Sequence, residues 1–293
     1  MKKTSVLLLI TLLLAGLTLA SCEKERHPAG SGFLPGFNEN GASEALFSVS
    51  TTKRVRFSRG NLQYNVSTAT WTFAQHQYDY TGSYNTTMFD LFGWGTSGWS
   101  NYAQSYEPTS TSNWNPDYWP GGGAGNDLVD FCDSADWGVY NAITNGGNKP
   151  GMWRTLTMKE WQFLMGVTAD TNRVDKWGLA TIAGGYRGLV LLPDVWESPE
   201  GITFTPGAQG WEKNVYSSNQ WGKLEEAGAI FLPAAGCRYA VGVDNEGEAG
   251  YYWSSTHFDA ERAYCMKISA DEMDADNRAF RSSGCSVRLV MDN

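Results

Sequence analysis

The sequence predicts an α+β fold in which antiparallel sheet predominates, with two helices and long loops rich in glycine and aromatic residues. Short segments near both ends alternate apolar and polar residues, as strands with one buried face do. Two central segments carry apolar residues at helical spacing behind a capping residue. The composition, 42% hydrophobic and only 18% charged, supplies a core and excludes a disordered chain.

Four strands are predicted at the start of the folded part. Residues 46–50 and 54–58 alternate around the polar turn 51–53, which predicts a β-hairpin. Residues 61–65 and 70–73 continue the same pattern. The sequence then predicts one long loop, which we expect to pack on itself through its many aromatic rings.

Both predicted helices have readable starts. Ser134 is the expected N-cap of the first, whose apolar residues recur at helical spacing: Trp137, Tyr140 and Ile143. The second begins with a capping box formed by Thr157 and Glu160. Its expected buried stripe is Trp161, Leu164 and Met165. Short strands are predicted after it at 186–192, 229–232, 251–253, 263–268 and 286–290.

The N-terminus is typical of an exported lipoprotein. Two lysines precede an apolar run, residues 6–20, that is shorter than the roughly 20 residues a spanning helix needs. The run ends in Leu-Ala-Ser before Cys22, which resembles the lipobox of bacterial lipoproteins. The resemblance implies a signal peptide over 1–21, lipidation of Cys22 and anchoring by lipid in the outer membrane. The acidic residue Glu23 just after this cysteine resembles surface-export signals of bacterial lipoproteins, which implies the cell surface, and a solvated tether is the alternative reading of residues 23–26.

Residues 22–44 are predicted to be a flexible tether, because they are mostly Gly, Pro, Ser, Asn and charged residues. A single domain is then predicted over 45–293, with an N-terminal sheet and loop at 45–133 and a second part at 134–293. The formal charge of −9, with no Lys/Arg cluster in the body of the chain, argues against a nucleic-acid partner.

Four cysteines remain beyond the predicted signal, namely Cys132, Cys237, Cys265 and Cys285. An exported location permits disulfides, and four cysteines allow three pairings. Cys265 with Cys285 is the favoured pair, because both lie in the compact last segment. Four buried thiols remain an open alternative.

Four motifs in order carry a family resemblance: the W-R-x-L-T-x-x-E-W run from Trp153, L-P-A-A-G-C-R from Leu232, G-Y-Y-W-S-S-T from Gly250 and G-C-S-V-R-L-V from Gly284. Together they resemble the C-type-lectin-like domains of bacterial lipoproteins, in the branch related to formylglycine-generating enzyme and the major paralogous domain (FISUMP) group. The resemblance covers 153–290 and implies a C-type-lectin-like fold. The closing motifs are also similar to the variable proteins of diversity-generating retroelements, in which residues 257–283 would be the divergent, ligand-contacting stretch. An ordinary polar loop with edge strands is the alternative.

We therefore expect a binding protein whose ligand is a glycan or another protein. Aromatic rings and directed polar groups suit such a surface. The candidate ligand-binding residues, expected to be exposed, are His257, Phe258, Asp259, Arg262, Tyr264, Asp276, Asn277, Arg278 and Arg281. Trp253 is expected in the core. An acidic run at 271–277 is interpreted as a solvated turn in preference to a calcium site.

Catalysis is not expected. The cysteine spacing differs from the copper-binding pair of formylglycine-generating enzymes, and three His in the chain give little support for a His-rich metal site. No catalytic residue, metal or cofactor is therefore predicted. An enzyme of that superfamily and a structural envelope or fimbrial component remain the alternative functions.

Overall fold

The computed structural model describes residues 34–82, 87–99, 118–129, 135–167 and 175–293. Within these ranges the chain is mainly sheet with three short α-helices, which confirms the predicted α+β class. None of the helices there is long and apolar enough to cross a membrane. The predicted signal peptide, Cys22 and Cys132 lie outside the described residues.

The strands of the first half are β1 (Phe47–Ser48), β2 (Arg54–Phe57), β3 (Leu62–Asn65), β4 (Thr70–Phe73), β5 (Met88–Phe89), β6 (Leu91–Phe92), β7 (Arg154–Thr155), β8 (Trp177–Ile182) and β9 (Tyr186–Leu191). Those of the second half are β10 (Asn214–Tyr216), β11 (Ile230–Pro233), β12 (Cys237–Tyr239), β13 (Gly242–Asp244), β14 (Ala249–His257), β15 (Arg262–Ser269), β16 (Met273–Asp274), β17 (Arg278–Phe280), β18 (Cys285–Ser286) and β19 (Leu289–Asp292). The helices are α1 (Trp137–Tyr140), α2 (Met158–Leu164) and α3 (Ser218–Glu226).

The first and last strands meet in one sheet of order β1-β2-β19-β7. Phe47 pairs with Val55, which confirms the predicted N-terminal hairpin. Val290 of the last strand pairs with Phe57 on the other side of β2. The predicted strand 286–290 is divided, because β18 and β19 belong to different sheets.

The sheet that positions the candidate site has the order β16-β15-β14-β18-β6, with β17 also paired to β15. β14 and β15 form its long antiparallel pair, in which Trp253 lies opposite Cys265. Their register becomes irregular between Trp253 and His257, just before the connection that carries Phe258. β17 pairs with the start of β15 and sets Tyr264 opposite Arg278.

The remaining strands form sheets of order β10-β8-β9-β11, β4-β3-β5 and β12-β13. The pairing of β3 with β4 confirms two further predicted strands. Three hydrophobic clusters fill the interior, and Trp161 and Trp253 are both buried in them.

The second predicted helix is confirmed with its capping box. The Thr157 hydroxyl accepts from the amide of Glu160 at 3.2 Å, and the Glu160 carboxylate accepts from the amide of Thr157 at 2.9 Å. The first helix is shorter than predicted, since it ends at Tyr140, whose side chain is 44% exposed. Its N-cap is Asp136, whereas Ser134 lies outside the described residues.

The prediction of only two helices was wrong, because α3 is a third. Ser217 and Gln220 form its capping box, with the Ser217 amide donating to the Gln220 side chain at 3.0 Å. The S-x-x-Q pattern was present in the sequence. Trp221 and Leu224 provide the buried face that fixes this helix on its sheet.

Part of the predicted tether belongs to the folded domain. Phe37 is 5% exposed and Ala42 is fully buried. Ala42 forms a bridge with Ser58, and the amide of Ser43 donates to Phe57 O at 2.8 Å. The composition was polar, but these two apolar anchors and the backbone bonds suffice to hold the segment. The boundary predicted at 45 was therefore too late.

Candidate ligand-binding site

Phe258 is the centre of a cluster of rings and guanidinium groups at the β15–β17 edge of the central sheet. The guanidinium carbon of Arg278 lies 4.1 Å from the ring centroid of Phe258, and that of Arg262 lies 4.9 Å from it. Tyr264 packs edge-on against Phe258 with centroids 5.3 Å apart. Arg278 also lies 5.6 Å from the Tyr264 ring. We call these four residues the Phe258 cluster.

The turn that carries Phe258 is held by the Asp259 carboxylate. Its Oδ1 accepts from the backbone amides of Glu261 and Arg262, at 2.9 and 2.8 Å. Its Oδ2 accepts from the Arg262 guanidinium at 3.0 and 2.6 Å. Partial burial acts to raise the pKa of Asp259, but these bonds outweigh it and lower that pKa below its usual value.

Arg281 is fully buried, so the prediction that it is an exposed contact residue was wrong. Its guanidinium lies 4.6 Å from the ring of Trp94. It donates to four backbone carbonyl oxygens, those of Tyr118, Ala124, Asp259 and Arg262. Burial lowers its pKa to about 10. The several N–H donors of the guanidinium explain why an arginine is buried here, because one side chain can bond carbonyl oxygens from two separate chain segments.

His257 is likewise an anchor of the site. Both its backbone amide and its Nδ1 bond to the Asp127 carboxylate. A few residues on, Trp119 Nε1 donates to the carbonyl of Ala260 at 2.7 Å. Residues 118–129 therefore pack against the turn that follows β14, and they support the Phe258 cluster from one side.

The side chain of Asp276 faces solvent, whereas that of Asn277 faces the interior. Asp276 is exposed, and its carboxylate accepts from the Gln162 amide group of α2 at 3.1 Å. Asn277 Nδ2 donates to the sulfur of Cys265 at 3.0 Å, so this side chain turns inward. The predicted set thus divides into the outer Phe258 cluster, the peripheral Asp276, and the anchors His257, Asp259, Asn277 and Arg281.

The two outer arginines differ in their electrostatic partners. Arg262 forms an ion pair with Asp259. Arg278 is exposed and forms no ion pair with any carboxylate in the part of the chain that the structure describes. Its positive charge is held in place by two aromatic rings and remains open to an external anion.

Phe280 is a neighbour of the site that is not among the residues predicted from the sequence. It is 39% exposed and pairs with Arg262 across β17 and β15. Its spacing of two from Arg278 places both side chains on the same face of β17. In the sequence, the spacing of two residues between Arg278 and Phe280 was the pattern that could have identified Phe280 as a neighbour of the site.

The structure does not contain the predicted disulfide between Cys265 and Cys285, and the two buried cysteines lie on strands that are not neighbours. β14 lies between their strands. The sulfur atom that lies 3.9 Å from Cys285 Sγ belongs instead to Cys237. Closeness in the sequence therefore did not indicate which cysteines are neighbours in the sheet.

The described structure also has grooves away from this cluster, and two of them have volumes of several hundred Å³. One, of about 500 Å³, is lined in part by Tyr64, Trp71 and Tyr140. The other, of about 440 Å³, is lined in part by Tyr251 and Lys267 of the central sheet. Among their described lining residues there is no member of the Phe258 cluster, in which Arg278 is exposed and the other three residues are partly exposed.

Two buried carboxyl groups have altered acidity. Burial raises the pKa of both Asp90 and Asp136 to about 6. Asp90 accepts from the amide of Thr81, and Asp136 accepts from the amides of Gly138 and Thr155. Both carboxyl groups thus serve as backbone acceptors. The described residues contain no group of three or more His, Cys, Asp or Glu side chains suited to hold a metal ion.

Searches with this chain found no matching family model, no significant match among curated proteins and none among solved structures.

Proposed function

We propose that this protein binds a glycan or protein ligand at the outer face of the Phe258 cluster. The observation that carries the proposal is Arg278, an exposed guanidinium held over two rings without an ion-pair partner among the described residues. An exposed guanidinium usually forms an ion pair with a carboxylate or extends into solvent. The guanidinium of Arg278 instead packs against the rings of Phe258 and Tyr264. A fixed donor next to aromatic surface suits a ligand that offers both an anionic and an apolar portion.

The chemistry of the cluster supports recognition. The partly exposed rings of Phe258 and Tyr264 offer apolar contact surface beside the guanidinium groups. The guanidinium of Arg278 supplies directed donors for a carboxylate, sulfate or phosphate group on the ligand. Rings and arginines are also the residue types that contribute most to binding energy at protein interfaces.

The cluster is supported by a rigid base. Buried Arg281 ties the turn at 259–262 to residues 118–124 through four carbonyl oxygens. Asp259 fixes the same turn through two amides. A prearranged surface loses little conformational entropy when a ligand binds, which favours affinity in a shallow site.

The proposed fold family is C-type-lectin-like, which rests on the order of the four sequence motifs. Residues of these motifs stabilise the interior of the domain. Arg154 forms two hydrogen bonds of 2.8 Å with Glu160, and Trp253 is buried. The candidate divergent stretch, 257–283, carries the outer residues on β15 and β17. A near-copy of its codons beside a reverse-transcriptase gene would establish the retroelement version, and an ordinary neighbourhood would leave the stretch a fixed binding site.

The proposed location is the outer membrane at the cell surface, through lipid on Cys22. Metabolic labelling with a radioactive fatty acid tests it. Label is expected on the wild-type chain and not on a Cys22→Ser variant, and equal labelling of the two would contradict the anchor.

Binding is tested by applying the purified domain to arrays of neutral glycans, acidic glycans and extracellular proteins. Wild type and Arg54→Ala should give the same positive spots, because Arg54 is an exposed arginine of β2 in a different sheet. Arg278→Ala should lose them. A signal unchanged in Arg278→Ala would overturn the site, and assembly with partner proteins without any array signal would favour the structural alternative.

A further inference from the structure

Three buried cysteines meet inside the second hydrophobic cluster. Cys237, Cys265 and Cys285 are each no more than 1% exposed. The sulfur atoms of Cys237 and Cys285 lie 3.9 Å apart. The ligand-binding proposal uses none of these thiols.

The backbone places Cys237 and Cys285 as direct neighbours on antiparallel segments. The adjacent residues, Arg238 and Gly284, exchange both backbone hydrogen bonds, at 2.8 and 2.7 Å. The next pair along such a ladder is a non-hydrogen-bonded pair, in which Cα atoms approach to about 4.5 Å. Disulfides span Cα separations of about 4.4–6.8 Å, so this pair meets the geometric requirement without backbone movement.

Cys265 does not share this position. β14 separates its strand from β18, and two strand spacings amount to roughly 9–10 Å between backbones. That exceeds the limit of about 7 Å beyond which a disulfide needs backbone movement. The sulfur of Cys265 also accepts a hydrogen bond from Asn277 Nδ2 at 3.0 Å.

We propose that Cys237 and Cys285 are a disulfide site: they become linked when the protein folds in an oxidising environment, while Cys265 remains a thiol. The bond joins β12 to β18, which are 48 residues apart in sequence at these positions. It would fix the segment that leads from the buried Arg281 into the core.

The oxidant required is the disulfide of an exchange partner, such as oxidised glutathione or a dithiol oxidase. The thiolate of one cysteine attacks that disulfide, forms a mixed disulfide and displaces one partner thiolate. The thiolate of the other cysteine then attacks the protein sulfur of the mixed disulfide and displaces the second. Two protons and two electrons leave the protein pair, and the partner is reduced to two thiols.

Burial dictates when this happens. Thiols that are at most 1% exposed are closed to an external disulfide once the domain has folded. Linkage therefore occurs during folding, before β18 docks. For the same reason, the completed bond should resist reductant until the protein is unfolded.

The test is to refold the full chain in a glutathione redox buffer and in excess reductant, alkylate free thiols under denaturing conditions, and map the peptides. The oxidised sample should contain a peptide pair linked through Cys237 and Cys285, with Cys265 alkylated. A link from Cys265 to Cys285, a link through Cys132 to either member of the pair, or full alkylation of the folded oxidised protein would overturn the proposal.

Matched variants check the assignment independently. Cys265→Ala removes an equally buried sulfur, and it should keep the link. Cys237→Ala and Cys285→Ala should lose it. In wild type the oxidised form should melt on the order of 10 °C above the reduced form, because the link closes a long loop. Equal melting temperatures for a verified linked sample would contradict the stabilising role.

Discussion

Arg281 Nη2 donates a hydrogen bond of 2.6 Å to the carbonyl oxygen of Asp259, and the same nitrogen donates to Ala124 at the same distance. One buried guanidinium therefore connects the turn beneath Phe258 to a loop far away in sequence. The geometry of the candidate site depends on this internal contact as much as on the exposed residues.

Replacing Arg281 with Ala should lower the free energy of unfolding by about 3–5 kcal/mol, because buried carbonyl oxygens lose their donors and a cavity remains beside Trp94. Urea denaturation measures the loss. Arg278→Ala is the matched control, and its exposed position predicts a smaller change, of about 1 kcal/mol, because only its contacts with two rings are lost. Similar midpoints for the two variants would refute the role assigned to Arg281.

The Arg154–Glu160 contact predicts a second stability effect. Glu160 accepts two hydrogen bonds from the guanidinium, and its carboxylate also caps α2. Glu160→Gln should therefore cost about 1–3 kcal/mol, since a charged, mostly buried acceptor is lost. Glu226→Gln, at an exposed position of α3, should change little. Chemical denaturation that ranks the two variants equally would argue against the contact.

Asp136 predicts a pH dependence of stability. Burial raises its pKa in the folded protein to about 6, from a usual 3.8. The folded state then holds the proton more tightly than the unfolded chain, so the stabilising contribution is fully present below about pH 4 and is lost as the pH rises through 6. Two pKa units correspond to roughly 3 kcal/mol.

Asp136→Asn cannot titrate and isolates this effect. The stability of wild type minus that of the variant should fall by up to roughly 3 kcal/mol between pH 4 and pH 7. Unfolding measured at several pH values gives this difference directly. A difference that stays constant, or that grows with pH, would show that the Asp136 carboxyl group is not perturbed by burial in this way.

The cap of α3 can be tested with neighbouring serines. The Ser217 hydroxyl accepts a hydrogen bond from the backbone amide of Gln220, whereas Ser218 is the exposed first residue of the helix. Ser217→Ala should cost about 1 kcal/mol, and Ser218→Ala should cost clearly less. Thermal melts measure the stability of both variants. A larger loss for Ser218→Ala than for Ser217→Ala would contradict the capping box.

Local patterns carried most of the information available in the sequence. The N-terminal hairpin and the Thr157 capping box involve residues only a few positions apart, so alternation and spacing revealed them. The S-x-x-Q start at Ser217 was equally local, and the third helix could have been predicted from it.

Long-range placement was beyond those patterns. Arg281 is a charged residue in a polar stretch, and the carbonyl partners that make its burial favourable include Tyr118 and Ala124, which are far away in sequence. Cys285 likewise neighbours Cys237 through a β-bridge that no local spacing announces. The outer residues Phe258, Arg262 and Tyr264 were predicted as a group, but their packing around Arg278 arises from the pairing of β15 with β17.

The most direct test of the central claim is a titration of wild type, Arg278→Ala, Arg278→Lys and Arg54→Ala with an acidic ligand identified on the arrays. Arg278→Ala should weaken binding about tenfold or more, and Arg278→Lys should restore part of it, because Lys keeps the charge and loses the planar fork. Arg54→Ala should match wild type. Equal affinities for wild type and Arg278→Ala, with both proteins folded, would contradict a binding site at the Phe258 cluster.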